Sequence, residues 1–242
     1  MLRKCFGHAV GGAWMALVLA IVGVALIATT TPAQADTFTF TSCHISGSTC
    51  QGGSIPAPGF GSVTLTQAGA DVTFDVTLIN GNRFVETGAG GGSLFLFNDS
   101  IAGSTITGIT TTLNGATVNV VPGGLSGLTN QPPIMADGTG TFTAQVFCTV
   151  PADCNGGSAP TFNDLHFTVT NATVAQLETA NANGNVFVAD ILCGPTQPTC
   201  PGGKTGPVDV NTTPVPEPGS LLFFSPLLAL AWMVGVRRWK RQ

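Results

Sequence analysis

The chain has 242 residues, a formal net charge of −4 and 43% hydrophobic residues, so it is long enough for one domain with a buried core. Between Asp36 and Val215 the only basic residues are Arg83 and Lys204, against eleven acidic ones. This balance excludes nucleic acid as a partner, because phosphate binding requires clustered lysines and arginines.

The N-terminus has the features of an export signal. Arg3 and Lys4 precede an uncharged, largely apolar run over residues 9–28, and Ala33 and Ala35 supply the small residues of a signal-peptidase site. The sequence therefore predicts a signal peptide over residues 1–35 and a mature start at Asp36. The apolar run is longer than the usual core of about 7–15 residues, so an uncleaved membrane anchor is the alternative.

The middle of the chain alternates with a period of two. In "DVTFDVTLI", which begins at Asp71, apolar and polar residues alternate, which is typical of a half-buried strand. Similar stretches recur between clusters of turn-forming residues, and the Asn114-Gly115 pair predicts a two-residue hairpin. One short helix is predicted over residues 174–180. The pattern predicts an all-β, antiparallel sandwich of jelly-roll type over residues 36–200.

Six cysteines in the exported part fall into three close pairs. Fifteen connectivities are formally open, but the short, turn-rich intervals favour sequential pairing, and each bond should contribute about 2–3 kcal/mol. Zinc binding is the alternative, although these spacings are longer than those of zinc sites. Disulfides indicate an oxidising compartment. The predicted pairs are Cys43 with Cys50, Cys148 with Cys154, and Cys193 with Cys200.

Candidates for catalysis are few. Asp71 and Asp75 are about 13 Å apart if both lie on one strand, which is wider than the carboxylate pair of a glycosidase. His166 alternates with apolar neighbours and should face solvent, and His44 is the only other histidine in the exported part. We expect no enzymatic activity, no catalytic residue, no metal site and no cofactor, with calcium binding by acidic turns left open.

The C-terminus turns rich in proline and glycine after Cys200. Residues 201–214 predict an extended spacer. In the "VPEP" that follows, Pro216 and Pro218 hold the backbone extended. Residues 221–236 would form a helix about 24 Å long, and four basic residues after it would stay in the cytoplasm. Residues 215–242 thus predict a membrane segment that stops export.

This terminus resembles the PEP-CTERM sorting signal of Gram-negative bacteria. The resemblance covers Val215, Pro216, Glu217 and Pro218, the short hydrophobic stretch and the arginine-rich end. It implies that these four residues are recognised by an exosortase, a membrane-embedded cysteine protease, and that the protein is a substrate associated with exopolysaccharide and biofilm. It implies an inner-membrane intermediate followed by the cell envelope, cell surface or extracellular matrix.

The predicted location at the cell surface indicates the function that we expect for the protein. We expect a structural or adhesive surface protein, with the membrane, an exosortase and possibly an exopolysaccharide as partners. A carbohydrate-binding module is the first alternative and a secreted hydrolase the second. Sugar-binding faces normally present aromatic platforms, yet tyrosine is absent and the three tryptophans lie in the terminal segments, at positions 14, 232 and 239.

Overall fold

A computed structural model of the chain describes the central part of the sequence, within a unit that begins at Gln34. The described residues are 35–51, 53–87, 92–118, 124–155, 162–200, 202–210 and 215–216. The predicted signal segment up to residue 34 and the predicted helix over residues 221–236 lie outside them. The described residues include no helix long and apolar enough to cross a membrane.

Seventeen strands and one short α-helix, α1 (Val174–Leu177), are described. The strands are β1 (Ala35–Thr39), β2 (Ser42–Cys43), β3 (Gly53–Ser54), β4 (Gly61–Ala68), β5 (Asp71–Leu78), β6 (Arg83–Phe84), β7 (Ser93–Phe97), β8 (Ile106–Leu113), β9 (Ala116–Val118), β10 (Leu125–Leu128), β11 (Ile134–Ala136), β12 (Gly140–Phe142), β13 (Ala144–Cys148), β14 (Asp164–Val169), β15 (Phe187–Leu192), β16 (Thr205–Val210) and β17 (Val215–Pro216).

The strands form two large sheets and a separate hairpin. Sheet I has the order β17-β1-β4-β5-β14-β8-β9. Sheet II has the order β10-β13-β7-β15-β16-β2-β3, with β6 beside β15, and β11 pairs only with β12. All pairings between these strands are antiparallel. The predicted all-β sandwich is therefore confirmed.

Phenylalanines fill the space between the two sheets. Phe74 of β5 is 1% exposed and stacks on Phe167 of the neighbouring β14, with ring centroids 4.5 Å apart. Its ring also contacts three phenylalanines of sheet II, and Phe38 of β1 meets one of these, Phe187, edge to face at 5.0 Å. Because these rings have no polar atom, they can be buried without a hydrogen-bonding partner.

The outer face of sheet II is covered by the hairpin of β11 and β12. A second, smaller apolar cluster joins Leu96 and Val188 of the sheet to Ala136 and Phe142 of the hairpin, with Ile134 packed against it. All four buried members are at most 1% exposed. Sheet II is thus buried on both faces over this region, whereas sheet I is buried on one face only.

Two local predictions are confirmed. Asn114 and Gly115 join β8 to β9 with φ values of 51° and 81°, the left-handed backbone that a two-residue hairpin of this type requires. The predicted helix over residues 174–180 begins at Val174 but ends at Leu177. Its first residue is preceded by a capping box between Thr173 and Gln176.

The prediction of an extended spacer over residues 201–214 is wrong for residues 205–210. Thr205–Val210 forms β16, which lies between β15 and β2 in sheet II, so the domain does not end at residue 200. Val208 and Val210 point into the core and are fully buried. Pro207 lacks an N–H group, but its carbonyl accepts a hydrogen bond from the His44 backbone N–H at 2.8 Å. The free energy gained by burying the two valines exceeds the preference of the surrounding glycine and proline residues for turns.

The predicted cysteine pairs are the pairs that the structure shows. Cys43 bonds Cys50, Cys148 bonds Cys154, and Cys193 bonds Cys200, with Cα–Cα distances of 5.7, 6.2 and 6.0 Å. The first and third loops are also joined to each other, because Thr49 donates backbone and side-chain hydrogen bonds to the Thr199 carbonyl.

The phenylalanine core gives a stability prediction. Replacing Phe74 with Ala removes the ring that contacts four others, and we expect the free energy of unfolding to fall by about 3–5 kcal/mol. The neighbouring, exposed Thr73→Ala should change it by about 0.5 kcal/mol or less. Urea unfolding with the disulfides intact would measure both. Similar losses for the two variants would contradict a core centred on Phe74.

Candidate functional site

The outer face of sheet I is a continuous polar surface. Its side chains come from alternate positions of five neighbouring strands, and most are threonines. No lysine, arginine or aromatic residue occurs at these positions. We call this surface the hydroxyl face; it comprises Thr37, Thr39, Ser62, Thr64, Thr66, Thr73, Asp75, Thr77, Thr110, Thr112, Asp164, His166 and Thr168.

The strand register aligns these side chains in rows across the sheet. One row runs Thr37, Thr64, Asp75, His166 and Thr110, each directly opposite the next. Rows are about 7 Å apart along the strands, and neighbouring strands are about 4.8 Å apart. The result is a regular array of hydroxyl groups, each able to donate and to accept a hydrogen bond.

A histidine and an aspartate are in contact at the centre of the hydroxyl face. His166 Nδ1 contacts Asp75 Oδ1 across β14 and β5, and the two side chains are 38% and 62% exposed. The predicted solvent exposure of His166 and of the Asp75 strand face is thus confirmed. Asp71 does not join them, because its Oδ1 accepts the backbone N–H of Asn171 at 3.0 Å. At such exposure the contact between His166 and Asp75 contributes little to stability.

A second pairing of histidine and aspartate is buried beside β16. His44 Nε2 lies 3.2 Å from Asp209 Oδ2, and the Asp209 side chain is 1% exposed. Burial raises the pKa of Asp209, while the neighbouring His44 and Ser42 act in the opposite direction. Ser42 is directly opposite Asp209 in the pairing of β2 with β16, so the serine and the histidine are both neighbours of the carboxyl group. A hydrolase needs the histidine between the other two, so that it can take the serine proton.

Two carboxyl groups meet at the end of the sandwich. Asp36 of β1 points towards the core and is 7% exposed, and it makes a side-chain hydrogen bond with Glu178, the residue that ends α1. Burial raises the pKa of Glu178 to about 8, with further contributions from the hydrogen bond and the charge of Asp36. Near neutral pH Glu178 therefore keeps its proton, so this site does not hold two carboxylate charges side by side.

Metal ligands do not cluster in the described parts of the chain. No group of three or more His, Cys, Asp or Glu side chains there is placed to hold a metal ion. Asp99, Asp190 and Asp164 accept hydrogen bonds from Ser104, Thr87 and Thr112 respectively. These acidic side chains are bound within the protein rather than gathered around an open site.

The structure brings the two predicted processing sites together. Ala35 and Asp36, which flank the predicted signal-cleavage bond, lie in β1, and Val215 and Pro216 form β17 on its free edge. Asp36 is directly opposite Pro216. Ala33, Glu217 and Pro218, the other members of the two motifs, lie outside the described residues.

Sequence reasoning found the polar face of single strands but missed three arrangements. The order of strands in sheet I, the Asp36–Glu178 contact and the His44–Asp209 pair all join residues distant in the chain. One feature of the sequence could have indicated a buried carboxyl group. The alternation of β1 places Asp36 on the same side of the strand as the apolar Phe38.

No family model, curated protein or solved structure matches this chain. The function of the protein has therefore to follow from its own residues.

The Asp36–Glu178 contact predicts how stability depends on pH. In the unfolded chain Glu178 ionises as the pH rises through its ordinary range, whereas in the folded protein it keeps its proton up to about pH 8. Its contribution to the free energy of unfolding is therefore complete at low pH and decreases between about pH 4.5 and 8.

Glu178→Gln should remove this contribution, because glutamine keeps a hydrogen-bonding group and has no proton to lose. Urea midpoints measured at several pH values in this range would test it. The difference between parent and variant isolates Glu178 from other buried acids such as Asp209. Parallel curves for the two proteins would contradict a raised pKa for Glu178.

Proposed function

We propose that this protein is an exported, non-enzymatic component of the bacterial cell surface or extracellular matrix, with a structural or adhesive role. The observation that carries the proposal is the order of features at the C-terminus: Val215, Pro216, Glu217 and Pro218, then a short hydrophobic stretch, then a basic end. This order resembles a PEP-CTERM sorting signal, so an exosortase is the processing partner that we propose.

Several features of the structure support an extracytoplasmic location. Three disulfides close short loops, as expected in an oxidising compartment.

The chain passes repeatedly between sheets I and II, which supports a jelly-roll-like class for the sandwich. The signal peptide over residues 1–35 and the membrane helix over residues 221–236 complete the proposal: an inner-membrane intermediate precedes the final position in the envelope or matrix.

The hydroxyl face is the surface that we propose for contact with an exopolysaccharide. Its threonines offer hydrogen-bond donors and acceptors in rows, and the absence of lysine and arginine from the face disfavours strongly anionic ligands. Because it lacks aromatic platforms, contact would be made by hydrogen bonds over a broad area.

A carbohydrate-binding module with one defined sugar site is the second candidate, and retention of a defined oligosaccharide on a glycan array would favour it. A secreted hydrolase ranks third, because no G-x-S-x-G motif surrounds any serine of the sequence.

The sorting proposal predicts the effect of changing Glu217. Glu217→Ala should leave export and the hydrophobic segment intact but block C-terminal processing, because the residue lies outside the apolar run and only an enzyme that recognises its side chain responds to it. In a host with an exosortase, the variant should accumulate in the inner membrane with its C-terminal peptide attached.

Immunoblots with tags on both sides of Gly219 would measure processing. The parent protein in a strain without the exosortase is the matched control, and it should behave like the variant. Equal processing of Glu217→Ala and parent would reduce the terminus to an ordinary anchor and remove the sorting proposal.

The hydroxyl face predicts a second measurable effect. Replacing Thr73, Thr110 and Thr168 with valine keeps the shape and strand preference but removes three hydroxyl groups around the contact between His166 and Asp75. We expect apparent affinity for the exopolysaccharide of a producing strain to fall about two- to tenfold for each hydroxyl that makes a contact. Thr141→Val, on the hairpin strand β12, is the control and should bind like the parent. Unchanged binding of the triple variant in a co-sedimentation assay would exclude this face as the contact surface.

A further inference from the structure

The predicted signal-cleavage bond, between Ala35 and Asp36, is part of the folded sandwich. It lies at the start of β1, where Ala35 is opposite Thr66 and Asp36 is opposite Leu65 of β4. On the other edge of β1, Asp36 is opposite Pro216 of β17. The residue that follows the bond thus has a strand on each side.

Side chains also hold this segment in the sheet. Asp36 is 7% exposed and contacts Glu178, and Phe38 is 2% exposed against Phe187. The pairing of β1 with β4 covers all five residues of β1. Removing β1 from sheet I would therefore expose a core phenylalanine and a strand edge.

A peptidase can cut a bond only when the backbone on both sides of it is free of other strands. To cut a chain, it has to hold the residues around the scissile bond in an extended form and pair with their free backbone groups, as a sheet does with an added strand. In β1, Ala35 and Asp36 on the two sides of this bond are paired with β4, and Asp36 is also paired with β17. The bond is thus open to cleavage only while β1 is detached, and the rate depends on the fraction of molecules in that state.

We infer that signal cleavage and folding compete, and that β1 closes the cleavage site once it has joined sheet I. The inference rests on the proposed export of the chain. A chain cut before β1 docks becomes a mature protein that starts at Asp36. A chain that folds first keeps its N-terminal hydrophobic segment and stays anchored. The timing of folding therefore selects between the two fates that the N-terminal sequence leaves open.

The C-terminal motif is held at the same edge, but by a much shorter pairing. β17 has two residues, and one of them, Pro216, has no N–H group to donate to β1. Its release costs two residue pairs, whereas release of β1 costs five pairs with β4 and the burial of Phe38. Val215 and Pro216 should therefore be released from the sheet by local opening more readily than β1.

The test uses the full-length precursor in detergent with purified signal peptidase. One sample is folded and oxidised, and the other is reduced, denatured and diluted into the assay immediately before the enzyme is added. N-terminal peptide mapping reports cleavage before Asp36. We expect the folded precursor to be cut at least about tenfold more slowly than the unfolded one.

A linker variant is the matched control. Six Gly and Ser residues inserted between Asp36 and Thr37 move the scissile bond out of β1 and leave Ala33, Ala35 and the rest of the strand unchanged. The folded linker variant should be cut at about the rate of the unfolded parent. This comparison holds the enzyme, the detergent and the residues around the bond constant.

The outcomes separate the two proposals. If folded parent, unfolded parent and linker variant are cut at the same rate, β1 does not protect the bond and this inference is wrong, while the export proposal stands. If the unfolded parent is not cut before Asp36, the signal-peptide assignment is wrong and the inference falls with it.

Discussion

The fold depends on the burial of phenylalanine between two sheets. Phe74 contacts rings from its own sheet and from the opposite one, so every strand that lines the core has to place an apolar side chain at alternate positions. The other positions of the same strands then point outward by geometry alone. In sheet I they carry threonine, serine, aspartate and histidine. The hydroxyl face is therefore the consequence of the same period of two that builds the core.

Buried carboxyl groups are stabilised in three different ways. Asp190 accepts hydrogen bonds from the backbone and side chain of Thr87, Asp209 lies against His44, and Asp36 contacts Glu178, whose pKa is raised. Each arrangement offsets part of the free-energy cost of moving a carboxyl group out of water. The partners come from distant parts of the sequence, so the acids can be accommodated only when the strands have the correct order. They add to the specificity of the fold at some cost in stability.

The sequence predicts what depends on neighbours in the chain. Alternation identifies β5 and β14, the Asn114-Gly115 pair identifies a hairpin, and short intervals identify the disulfides, because each feature is determined within about ten residues. The strand order of sheet I and the contact of Asp36 with Glu178 depend on packing between distant segments. β16 was missed for a third reason: two buried valines carry its strand character, and the glycine and prolines around them indicate a spacer.

The two outer faces of the sandwich differ in what they can bind. The apolar residues of sheet II are already covered by the β11–β12 hairpin, so among the described residues the broad uncovered surface is the hydroxyl face. Hydrogen bonds from such a surface replace bonds to water and are each worth only about 1 kcal/mol net. A single copy would therefore bind a hydrated polymer weakly. If the proposed sorting signal holds many copies at one surface, they would bind the same polymer chain together, and the effective concentration of neighbouring sites would strengthen the weak binding of each face. In the proposed function, sorting to a surface and weak hydroxyl contacts would then act together in adhesion.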